Sequence, residues 1–186
     1  MKRMFDVVVS SASLLLLSPI LLIVAVAVRL ESRGPAIFRQ VRVGKDGREF
    51  TCYKFRTMVT GTGDLPTHQV AASAVTRLGN VLRRFKIDEL PQLINVLAGD
   101  MSLVGPRPCL PSQLELVEAR RRLGVLTVRP GITGLAQVRG VDMSNADRLA
   151  DLDAQYVSNQ SFAGDLKLIW ATLRGQGVGV DQVIRT

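Results

Sequence analysis

The sequence predicts an α/β fold: a small, mostly helical domain with one short β-hairpin, carried on an N-terminal re-entrant membrane helix. Three observations lead there. Residues 7–28 carry no charge and hold Ser18–Pro19 at their centre. Two runs of strand character, 36–43 and 49–56, flank the turn residues Lys45–Asp46–Gly47–Arg48. From Val75 onward, apolar residues recur at helical spacing. The organisation implied is a membrane segment over 1–33, a domain over 34–175 and a glycine-rich tail over 176–186.

Lys2 and Arg3 precede the apolar run, as in a signal peptide. The run is longer than the roughly 7–15 residues of a signal core, and no small-x-small cleavage site precedes Arg29. It reads as a retained membrane segment. A straight helix of this length would cross a hydrocarbon core of about 30 Å. Pro19 lacks an N–H, and its ring clashes with the carbonyl of Leu15, so a bend or break is expected at Ser18–Pro19. Ser18 is placed to bond the freed carbonyl. Basic residues flank both ends, Lys2 and Arg3 before and Arg29 and Arg33 after, and such residues stay in the cytoplasm. A helix that enters, breaks and returns fits these residues; so does a kinked single-pass anchor.

Beyond the hairpin, residues 59–73 read as a loop holding His68, the only histidine, taken as solvated. Helices are expected over 74–85 and 88–98, the second ended by Gly99. A proline-rich loop follows at Val104–Pro108, then a helix over 111–123. Pro130–Gly131 suits a type II turn. The last helices are expected over 144–158, with Ser144 and Asp147 as a capping pair, and over 164–174. Arg120–Arg121–Arg122 reads as a solvated or membrane-facing helix surface. Cys52 and Cys109 lack metal-ligand spacing and read as reduced thiols.

The net charge of +8 favours anionic partners: nucleic acid, phospholipid head groups or phosphorylated substrates. Aromatic residues are only 5% of the chain, which argues against nucleic acid, because single strands stack on aromatic rings. The densest chemistry is Lys86–Ile87–Asp88–Glu89–Leu90–Pro91–Gln92. Pro91 is tolerated only in a first turn, so a helix should begin near Asp88 and place both carboxylates at its N-terminus. An N-cap role accounts for Asp88 alone. The bases around the pair extend the reading: Lys54 and Arg56 on one face of the second strand, Arg83 at a helix end, Arg107 between two prolines, and Arg129 before the Pro–Gly turn. An acidic pair among arginines suits phosphate plus a divalent cation.

Longer stretches carry a resemblance. Tyr53–Met58 (YKFRTM), Asp88–Leu93 (DELPQL), Asn95–Leu97, Gly99–Pro108 (GDMSLVGPRP) and Pro130–Gly134 (PGITG) closely resemble the bacterial sugar transferases, the monotopic polyprenyl-phosphate phosphoglycosyl transferases. Lys2–Asp6 (KRMFD), Ser18–Pro19 and the late Asp153, Tyr156, Asp165 and Thr172 resemble the family as well. The likeness runs in order from residue 2 to about 173 and is to the minimal, single-domain form.

The resemblance implies the rest. Sugar-1-phosphate passes from a UDP-sugar to polyprenyl (undecaprenyl) phosphate, giving polyprenyl-diphospho-sugar and UMP. Asp88 corresponds to a nucleophile that forms an aspartyl-phosphosugar, and Glu89 to the ligand of Mg2+. Lys54, Arg83 and Arg107 correspond to phosphate-binding residues, with Arg56, Arg129 and Gln137 as further candidates. The membrane segment would be the re-entrant form, against phospholipid of the bacterial inner membrane, with the domain facing the cytoplasm and other glycan-assembly enzymes as partners. Two positions depart from the family pattern: Lys86, where Ser or Thr is common, and Val141, where Arg is usual. A rival reading from another class is a membrane-anchored scaffold with a dead site.

Overall fold

The computed structural model describes residues 1–59 and 74–175. His68 and the expected tail over 176–186 lie outside the described residues. The elements are α1 (Lys2–Glu31), β1 (Ile37–Val43), β2 (Glu49–Phe55), α2 (Arg77–Arg84), α3 (Gln92–Ala98), β3 (Ser102–Val104), α4 (Leu114–Arg122), β4 (Gly131–Thr133), α5 (Leu135–Val138), α6 (Ala146–Ser158) and α7 (Phe162–Leu173). This is the mostly helical small domain with a two-stranded hairpin and a long apolar N-terminal helix that the sequence predicts.

β1 and β2 pair antiparallel, from Ile37↔Phe55 to Val43↔Glu49. Asp46 (φ 57°) and Gly47 (φ 75°) both take the positive φ of a type I′ turn. Side chains alternate across a strand, so this register sets Gln40 and Arg42 of β1 on the same face as Lys54 of β2.

α1 corrects one expectation, because the helix runs through Ser18–Pro19 without a break. Pro19 leaves the Leu15 carbonyl without its usual N–H. The Ser18 hydroxyl donates to that carbonyl at 2.8 Å and lets the helix continue. α1 is long and apolar enough to cross a membrane. Yet both of its ends are fastened to the same domain. At the start, Lys2 reaches Asp165 (2.5 Å) and the Val104 carbonyl (3.1 Å). Arg3 donates to the carbonyls of Val96 and Leu97 at the end of α3. Asp6, buried, accepts from Ser102 Oγ (2.8 Å) and the Leu103 N–H (3.3 Å). At the far end, the Val28 and Ser32 carbonyls accept from Arg56. Val28 packs with Phe55 and Leu82. Between these anchorages Leu15 and Leu16 are about four-fifths exposed (80% and 79%).

A second pairing was not foreseen: β3 and β4 run parallel, with Ser102↔Gly131 and Val104↔Thr133. Gly131 begins β4 and has no positive φ, so Pro130–Gly131 is not the expected type II turn. The glycine is needed for proximity. A Cβ there would lie 2.1 Å from Gly105 N. The two glycine–proline loops are therefore one backbone-on-backbone unit. Gly131→Ala should destabilise the fold by about 1–3 kcal/mol or more, since backbone cannot yield as a side chain can. Thermal unfolding checks this, and an unchanged melting temperature would contradict the contact.

Two local readings are also corrected. The N-cap of α6 is Asn145, whose side chain accepts from the Arg148 N–H at 2.9 Å, while Ser144 turns back to Asp142. Arg120 is not a surface residue: it is 2% exposed and paired with the equally buried Asp153 at 2.6 Å. Only Arg121 and Arg122 of that run face outward.

Candidate active site

The chain leaves α2 through Lys86, which adopts a left-handed conformation (φ 57°) and reverses direction. A single 3₁₀ turn, Ile87–Glu89, follows. α3 begins only at Gln92, with Pro91 at its N-cap. The carboxylate pair thus precedes the helix rather than opening it. The Glu89 and Leu90 N–H groups are taken by the carbonyls of Lys86 and Ile87, so the helix end offers the carboxylates little. Their charge is handled by side chains instead.

Those side chains treat the two acids differently. Glu89 Oε1 accepts from Arg107 and from Lys54, the latter at 3.3 Å. Asp88 has no hydrogen bond or ion pair to a described residue. Burial raises the pKa of both acids. At Glu89 the Arg107 and Lys54 charges outweigh it and hold the carboxyl well below the usual range. At Asp88 burial and the Glu89 charge prevail, and the carboxyl is pushed up to about 6. Burial also lowers the Lys54 ammonium, while Glu89 raises the Arg107 guanidinium. The two adjacent acids are thus held in opposite ionisation tendencies.

The cleft holding them has a volume of about 1430 Å³. The remaining candidates divide around it. Arg83 lies on the cleft wall, with its Nε on the Thr57 hydroxyl at 2.9 Å. Gln137 also lines the cleft, donating to the Ile132 carbonyl. Arg56 borders the cleft but its guanidinium is turned to the carbonyls of Val28, Ser32 and Pro35, where it caps α1. Arg129 is exposed and caps α3 through the Gly99 carbonyl (2.7 Å), so it is not brought to the cleft. Phe5, Val9, Ala25 and Arg29 of α1 also border the cleft, which places the apolar helix beside the acids. Lys86 and Val141 both line it as well.

The Arg107 loop is braced from behind. Arg120 donates to the Arg107 carbonyl (2.8 Å), and Arg42 donates to the Pro108 carbonyl (3.1 Å). Arg42 was not singled out from the sequence, and Arg120 was read there as a helix-surface residue. Arg42 was within reach, because the hairpin turn already sets it on the Lys54 face. Arg120 was not, since its partner Asp153 lies 33 residues away on another helix.

Comparison with known proteins gives the family. Residues 1–176 match the family model described as bacterial sugar transferase. The chain belongs to the bacterial sugar transferase family. The uncharacterized sugar transferase EpsL of Bacillus subtilis is 43% identical, covering 94% of this chain and 86% of its own length. The UDP-glucose:undecaprenyl-phosphate glucose-1-phosphate transferase of Caulobacter vibrioides is 43% identical, with 92% of this chain and 68% of the relative aligned. The protein of the same description from Klebsiella pneumoniae is 42% identical over 92% of this chain, which spans only 39% of that longer relative. In this sugar transferase the family stretches around residues 88, 107 and 131 converge on the cleft and its walls.

Proposed function

We propose that the chain moves sugar-1-phosphate from a UDP-sugar to polyprenyl (undecaprenyl) phosphate in two displacements. An Asp88 carboxylate oxygen attacks the phosphorus next to the sugar, the P–O bond to UMP breaks, and UMP leaves. A phosphate oxygen of the lipid then attacks the same phosphorus and releases Asp88, giving polyprenyl-diphospho-sugar. The observation that carries this reading is the unequal acid pair: Glu89 is fixed and ionised by two cations, while Asp88 beside it is unpaired. Lys54 and Arg107 orient Glu89, and with Arg83 they supply positive charge for phosphoryl oxygens.

Mg2+ fits the donor set. Both side-chain hydrogen bonds to Glu89 fall on Oε1, leaving Oε2 for a cation. Among the described residues there is no cluster of three or more His, Cys, Asp or Glu. A cation here would rest on one or two carboxylates plus substrate phosphate, as Mg2+ commonly does. When bound it would neutralise charge on the leaving phosphate.

The same reading takes α1 as re-entrant in the bacterial inner membrane, with the domain cytoplasmic. The support is that Lys2, Arg3 and Asp6 at one end and Val28 at the other bind one domain, which favours both ends lying on one side. Single cysteines near residue 2, at exposed Met4, and near residue 33 should both resist a membrane-impermeant thiol reagent in intact cells and react after permeabilisation. Labelling of the amino-terminal position alone in intact cells would mean a true span.

The assay for the reaction is UMP release in detergent from a panel of UDP-sugars with polyprenyl phosphate. The proposal expects UMP only when a cognate UDP-sugar is present; no release from any donor favours the scaffold reading. In the same assay Arg107→Lys should lose at least about tenfold, because the ammonium keeps the charge but not the planar fork. Near-normal turnover would mean that Arg107 only shapes its loop.

A further inference from the structure

Arg42 has no place in the reaction just described. It lies on the hairpin face that carries Lys54, and it borders the same cleft as Asp88, Glu89 and Arg107. Its Nη1 donates to the Pro108 carbonyl (3.1 Å) and its Nη2 to Gln40 Oε1 (2.5 Å). Its Nε is buried without a partner. Gln40 is itself 8% exposed, so the orienting group is fixed.

The contrast is with the bases nearest the acids and behind the Arg107 loop, which have counter-charges: Arg107 and Lys54 share Glu89, and Arg120 has Asp153. Buried Arg56 also bonds only neutral acceptors, but its guanidinium is turned away to the end of α1. Both of Arg42's acceptors are neutral, and no ion pair joins it to a described carboxylate. A half-buried guanidinium without an anion is costly unless something anionic arrives. Burial, with Arg107 adding to it, lowers its pKa, as expected of a cation short of a counter-ion. The cleft lining carries three carboxylates, Asp88, Glu89 and Asp142, against eight Lys and Arg side chains, so the wall around Arg42 is net positive. Positive charge beyond the carboxylates is what a diphosphate needs.

We infer that Arg42 is a third phosphate-binding arginine of the cleft, beside Arg83 and Arg107, directed by Gln40 and Pro108 toward the diphosphate of the nucleotide-sugar. This rests on the reading under Proposed function and assigns one more residue to it. A purely structural Arg42 would only brace the Pro108 carbonyl. The two roles respond differently to substitution. Arg42→Gln keeps an N–H donor but removes the charge; Arg42→Lys keeps the charge and one donor.

The experiment is titration calorimetry of the full chain in detergent with Mg2+, using UDP and inorganic pyrophosphate as probes, beside thermal unfolding without ligand. Arg42→Gln should bind both probes on the order of 10–100-fold more weakly, the range of a lost charge-assisted bond. Arg42→Lys should lose less, and neither should shift the ligand-free melting temperature by more than a few degrees. Unchanged affinities in Arg42→Gln overturn the inference. So do equal losses in both variants that track a fall in melting temperature, which would leave Arg42 as a brace. If the wild type binds both probes but releases no UMP from any UDP-sugar, the proposed reaction fails while Arg42 remains a diphosphate ligand. A wild type that binds neither probe overturns both.

Discussion

Asp88→Asn should abolish transfer and, at pH 7, yield a more stable protein. The two effects share one cause. Asp88 has a carboxyl raised to about 6 in the fold, from an ordinary value of 3.8. The folded state therefore favours the protonated acid. That contribution to stability is fully present below about pH 3.8 and is lost as pH rises through about 6. At pH 7 the ionised carboxylate is held at a cost of up to about 3 kcal/mol, taking about 1.4 kcal/mol per pKa unit. Asparagine keeps the shape without the charge, so its melting temperature should exceed the wild type's by several degrees at pH 7, with the gap closing below pH 4. Wild-type turnover should fall as pH drops through about 6, because the protonated acid is a poor nucleophile. A variant no more stable than the wild type at pH 7 would mean that Asp88 is not held against its own ionisation.

Arg120 and Asp153 should show the second large effect. Both are 2% exposed, and Arg120 Nε and Nη2 both donate to Asp153 Oδ2. Removing one partner strands a buried charge, so Arg120→Met or Asp153→Leu alone should cost about 3–5 kcal/mol. The double replacement removes both charges and should recover most of that stability. Activity should not return with it, because the Arg107 carbonyl has lost the donor that steadies its loop. Urea unfolding and UMP release on the same preparations separate the outcomes. A stable double variant with wild-type turnover would show that Arg120 serves the fold alone.

These residues also indicate where the sequence was legible. The type I′ turn at Asp46–Gly47, the hairpin, the positions of most helices and the Asp88–Glu89 pair follow from local chemistry within a few residues. Ser18 was readable for the same reason, since its acceptor is one turn away. β3 and β4 were not readable: three residues carry no period, and the pairing joins positions about 29 apart that are brought together by glycines needed for close approach. Arginines were the least legible. Arg56, Arg107, Arg120 and Arg129 are chemically alike, yet one caps α1, one holds Glu89, one is buried against Asp153 and one caps α3. A long flexible cation takes the acceptors that tertiary packing brings, and spacing does not encode those. The helix expected to open at Asp88 failed on backbone geometry, because left-handed Lys86 feeds a 3₁₀ turn that delays α3 to Gln92.

The covalent step is the central claim, and single-turnover labelling tests it most directly. Wild-type protein, Mg2+ and a UDP-sugar radiolabelled in the sugar are mixed without polyprenyl phosphate, quenched, and digested for peptide mapping. The account predicts up to one label per chain, located on Asp88, absent from Asp88→Asn, and discharged when polyprenyl phosphate is added. Label on another residue, or no label while Asp88→Asn still turns over at a substantial fraction of wild type, would contradict it. Direct attack by the lipid phosphate, with the two acids serving only the cation, would then be the mechanism.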